Sequence, residues 1–117
     1  MNDEKNQVME VSETISKDFD KAGLSSIISP DGIDNLEQLR RHLTKRITEL
    51  MDTNYEKLLN ILYRIDINEN KLNELFGSKN REYIPSRLAE LIIERQVQKI
   101  NFRNMYRKNR DQLPGEE

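Results

Sequence analysis

The acids and amides of the run YRIDINENKLNELF, residues 63–76, stand where a calcium loop would begin. Asp66, Asn68 and Asn70 fill positions one, three and five of the pattern D-x-[DN]-x-[DN]-G. The same template needs glycine at its sixth position for the sharp turn and a bidentate glutamate at its twelfth. Here the sixth residue is Lys71 and the twelfth is Gly77. Turn former and chelating carboxylate are both missing, and an ammonium stands where the ion would go. The run reads better as a corner. One helix ends at Ile67. Asp66 with Glu69, or Asn68 alone, caps a short helix that carries Leu72, Leu75 and Phe76 and stops at Gly77.

Other chemistry is as thinly supplied. His42 is the only histidine and there is no cysteine. A histidine-based metal cluster or a Cys–His pair therefore cannot be assembled within one chain. Carboxylate pairs such as Asp66/Glu69 and Glu90/Glu94 are explained equally by capping and by a solvated helix face. Four scattered glycines form no phosphate loop. The expectation is a non-enzyme, with no catalytic residue, no cofactor, no metal and no small-molecule substrate.

The elements that could position any site are helical. Charged residues make up 34% of 117 residues, with only 4 glycines and 3 prolines. That is enough chain for one small domain and fits helices better than a sandwich or barrel. The start, MNDEKNQVMEVSET, lacks the basic end and apolar run of a signal peptide. No apolar stretch approaches membrane-spanning length. A cytoplasmic protein with no membrane partner is expected. The net charge of −2 hides an asymmetry. Residues 1–37 carry nine acids against three bases, and residues 94–110 carry six bases against one acid. Each end could attract the other, or a different partner.

Val8, Val11, Ile15 and Phe19 recur at helical spacing and predict a helix over 4–22, ended by Gly23. Its stripe is narrow, which leaves a docked arm or a disordered one. Residues 24–33 read as a linker, with a turn at Pro30-Asp31-Gly32 and Ile27 and Ile28 able to pin it. Asp34 and Glu37 suit a capping box for the next helix. Its apolar stripe is Leu36, Leu39, Leu43, Ile47 and Leu50, opposite Arg40, Arg41, Lys45 and Glu49. A break at Asp52–Asn54 opens a third helix. Tyr55, Leu58, Leu59, Ile61, Leu62, Tyr63 and Ile65 cover more than half its circumference, which predicts the most buried element. After the polar loop 77–83, Pro85 starts a long helix that runs to Arg110.

Two runs, LLNILYRIDI (58–67) and LAELIIERQVQK (88–99), resemble a family of small bacterial all-helical proteins to which no activity is attached. The resemblance covers residues 36–107. It implies a compact all-helical unit and transfers no site residue.

The last helix carries two apolar stripes. Leu88, Leu91, Ile92, Phe102 and Tyr106 form one, and Ala89, Ile93, Val97 and Ile100 the other. Two stripes call for two neighbours. The second is the amino-terminal arm or another copy of the chain. Arg95 and Lys99 lie within the apolar arc, with stems that can pack while their heads reach water. Together with Phe102, Arg103, Tyr106, Arg107, Lys108 and Arg110 they also form a basic surface with interleaved aromatics, a pattern that suits phosphates and stacked bases. Against that, Phe102 and Tyr106 sit on a core stripe and the pI is 5.6.

The expected fold is all-α: a small four-helix bundle over 34–110, an additional amino-terminal helical arm over 1–33, and a disordered tail over 111–117. The expected function is a protein–protein interaction or adaptor module that self-associates through the last helix. Ile93, Val97, Ile100, Arg95, Lys99, Phe102, Arg103, Tyr106 and Arg107 would bind the partner, a homo-oligomer or another protein. The alternative is a nucleic-acid-binding accessory protein that uses the basic face of 95–110.

Overall fold

A computed structural model describes residues 2–23 and 35–111. Five α-helices follow in order: α1 (Asn2–Lys21), α2 (Leu36–Thr53), α3 (Tyr55–Ile65), α4 (Glu69–Phe76) and α5 (Ile84–Asp111). A single 3-10 turn, Arg81–Tyr83, leads into α5, and no strand occurs among the described residues. The protein is all-α. None of these helices is long and apolar enough to cross a membrane. The expected turn at Pro30-Asp31-Gly32, the pinning residues Ile27 and Ile28, the cap Asp34 and the tail 112–117 lie outside the described residues.

Side chains meeting backbone at the helix ends explain most boundaries. Helix α2 is capped by Asn35. Asn35 has extended backbone, and its Oδ1 accepts from Gln38 N at 2.9 Å. Glu37 turns away and pairs with Arg40 and Arg41. The break before α3 is shorter than three residues, because Asn54 serves both sides. Its N–H donates to Leu50 O at 2.8 Å, and its Oδ1 accepts from Lys57 N at 3.4 Å.

The corner before α4 is similar. Asp66 takes left-handed backbone, φ 65°, and is the one non-glycine that does so among the described residues. Its N–H bonds Tyr63 O and the next N–H, of Ile67, bonds Leu62 O, the paired closure that ends a helix at such a residue. Asn68 Oδ1 then accepts from Asn70 N (2.9 Å) and Lys71 N (3.2 Å), so Asn68 caps α4 without help from Glu69. Replacing a cap of this kind costs about 1 kcal/mol. Asn68→Ala should therefore lower the thermal midpoint by roughly 4 °C, measured by circular dichroism at 222 nm.

One core joins all five helices. Val8, Val11, Ile15 and Phe19 of α1 are fully buried beside Leu39, Leu43 and Ile47 of α2, so α1 is docked. Helix α5 touches each of the other four and is the central element. That corrects the expectation for α3. Helix α3 buries Leu58, Ile61, Leu62 and Ile65, while Tyr55, Leu59 and Tyr63 face solvent. Its neighbours lie along one side only, so the wide apolar arc is not wholly used.

Candidate functional site

The second stripe of α5 is covered from within. Ile93 is 7% exposed and Ile100 2%, and Val97 packs half-buried on the same core. Helices α1 and α2 both lie against α5. The expectation that Ile93, Val97 and Ile100 meet a second molecule is therefore corrected: the amino-terminal helix is among the neighbours that fill that place. Its contact includes a polar pair, in which buried Gln96 donates Nε2–H to Asp18 Oδ2 at 2.7 Å.

Arg95 and Lys99 are also engaged within the chain. Arg95 Nε donates to Asp66 O at 3.1 Å, and its Nη2 lies 3.4 Å from Asp66 Oδ2. Lys99 Nζ donates to Ile65 O at 2.5 Å. Both cations thus satisfy carbonyls at the C-terminus of α3, where four are left without helical partners and the helix dipole favours positive charge. Burial pushes the Lys99 ammonium below its ordinary pKa, with neighbouring Arg95 acting in the same direction. Neither side chain is free to read a phosphate while it holds this corner.

After Ile100 the character of the helix changes. Residues 101–107 are all exposed, seven in succession. Phe102 (72% exposed), Met105 (61%) and Tyr106 (64%) are presented together at i, i+3 and i+4. Arg103 and Arg107 flank that face and are exposed. Phe102 and Tyr106 continue the periodicity of Leu88, Leu91 and Ile92, but both are exposed, so the stripe passes from core to surface. Sequence reasoning missed Met105. A third large side chain on the Phe102–Tyr106 face was the signal for it. At the base of this overhang a groove of ≈ 630 Å³ lies between α1 and α5, lined by Thr14, Asp18, Gln96, Lys99, Phe102 and Arg103.

The residues with catalytic or metal-binding potential are placed apart. His42 is exposed on α2, its Nδ1 2.8 Å from Gln38 O. Glu90 and Glu94 share Arg87, at 2.8 and 3.7 Å. Asp66 and Asn68 are occupied by the corner itself. Among the described residues no three His, Cys, Asp or Glu side chains are grouped closely enough to hold a metal ion. No family model, curated protein or solved structure matches the chain.

Proposed function

We propose that the protein is a non-enzymatic helical interaction module that binds a protein partner through the overhang of α5. One observation carries this reading: Phe102, Met105 and Tyr106 form an exposed apolar face toward the end of α5. Burying large apolar side chains is favourable, and faces with i, i+3, i+4 anchors are the form in which a helix enters a partner's groove. The flanking Arg103 and Arg107 select an acidic rim on that partner.

A second reading, nucleic-acid binding, draws on the same arginines. Its surface is smaller than the sequence implied, because Arg95 and Lys99 are tied to the α3 corner. Salt separates the two readings. Affinity capture with the tagged full chain should retain its protein partner between about 50 and 200 mM salt, whereas phosphate-dominated binding falls by orders of magnitude over that range. Phe102→Glu with Tyr106→Glu should abolish capture. A nucleic-acid signal that vanishes at the higher salt, with no protein retained, would favour the second reading.

A further inference from the structure

We infer that the α5 overhang docks on the exposed stripe of α3 in a second copy of this chain, with two copies exchanging overhangs about a two-fold axis. The inference rests on the protein-binding reading above and names the partner.

Among the described residues a second apolar helix face besides that of α5 is largely exposed, on α3, although its Tyr55 ring meets Phe76 edge-on. On α3, Tyr55, Leu59 and Tyr63 recur every four residues, and Tyr63 is 90% exposed. They span an arc of about 80°. Glu56 projects about 20° beyond Tyr63 on the same helix. Asp66 closes the C-terminal end of the stripe with its side chain 82% exposed, although Arg95 lies 3.4 Å away. Glu56 is thus the acid nearest the α3 stripe, with exposed Arg64 further round the helix and Asp66 shared with Arg95, while the α5 face is flanked by Arg103 and Arg107.

Length agrees as well. The exposed segment 101–107, seven residues or about 10 Å at 1.5 Å per residue, fits within the 11 residues of α3.

Connectivity and charge then select the partner. The overhang continues an unbroken helix, so it cannot fold back onto its own α3. Its root nevertheless lies beside the end of that α3, where Lys99 holds Ile65 O and Arg95 holds Asp66. Donor face and acceptor face therefore sit next to each other on one subunit. That adjacency lets a two-fold axis satisfy both contacts at once, in a closed pair. Pairing overhang with overhang would instead juxtapose two basic segments, each with Arg103, Arg107, Lys108 and Arg110 against Asp111 as its one acid. Like charges facing each other across an interface oppose that arrangement.

Sedimentation equilibrium of full-length chains tests the exchange. An overhang variant carries Phe102→Glu and Tyr106→Glu. A stripe variant carries Leu59→Lys and Tyr63→Lys. All four positions are exposed, and unchanged far-ultraviolet circular dichroism checks that both variants fold. Each variant alone should dimerise at least ~30-fold more weakly than the wild type. An equimolar mixture should dimerise again, because the intact overhang of one copy meets the intact stripe of the other. A stripe variant that dimerises like the wild type overturns the inference and leaves the overhang binding elsewhere, so the function proposed above stands. An overhang variant that dimerises like the wild type overturns it in favour of stripe-on-stripe pairing. A wild-type chain that stays monomeric at several hundred micromolar overturns it too, and the capture experiment then decides independently whether α5 binds another protein.

Discussion

Phe19→Ala should lower the folding stability by about 3–5 kcal/mol, the usual cost of truncating a fully buried phenylalanine. Phe19 is 1% exposed, and Val8, Val11 and Ile15 complete a face with no solvent access. Helix α1 is therefore part of the core. Total stabilities of single domains are ~5–15 kcal/mol, so the variant would stand near the edge of folding. In urea the midpoint should fall by roughly 2 M. Hydrogen exchange should rise in α1 and also around Gln96, whose amide holds Asp18. A loosely attached arm predicts the contrary: rapid exchange confined to α1 and a midpoint within a few tenths molar of the wild type. That outcome would remove α1 from the cooperative unit.

How much of this could be read beforehand depends on whether the cause is local. The apolar stripes of α1 and α2 are local periodicities, and all their members are in the core except Leu36, which packs half-buried against it. The chain reversal at Asp66–Asn68 was legible because amides and acids at a helix boundary have few uses other than capping. The choice between Asp34 and Asn35 was not legible, since two good cap formers stand side by side and only backbone geometry separates them. For α3 a helical wheel counts apolar positions without knowing how many neighbours there are. Tyr55 and Tyr63 tolerate water through their hydroxyls, so apolar counting overstates their burial. The same holds at the end of α5. Phe102 and Tyr106 keep the phase of Leu88 and Ile92, yet whether a stripe is core depends on how far the flanking helices reach. The reach of neighbouring helices is a non-local property. It leaves uncovered the face on which the proposed function depends.

The boundary where α5 changes from core to surface can be located by a pair of truncations. Ile100 is 2% exposed and Phe102 72% exposed, two residues apart on one continuous helix. Ile100→Ala removes buried methyl groups and leaves a cavity in the core, at an expected cost of about 2–4 kcal/mol. Phe102→Ala removes a ring that is mostly in water and should change folding stability by less than about 0.5 kcal/mol. The contrast inverts for association, where the Phe102 truncation acts and the Ile100 truncation does not. Urea unfolding of wild type and variants, run over about a hundredfold range of concentration, separates the two effects, because binding between folded chains makes apparent stability concentration-dependent. The loss caused by Ile100→Ala should be the same at every concentration. If that loss grows with concentration while the dilute chain is unaffected, Ile100 faces a second molecule and α1 does not cover it.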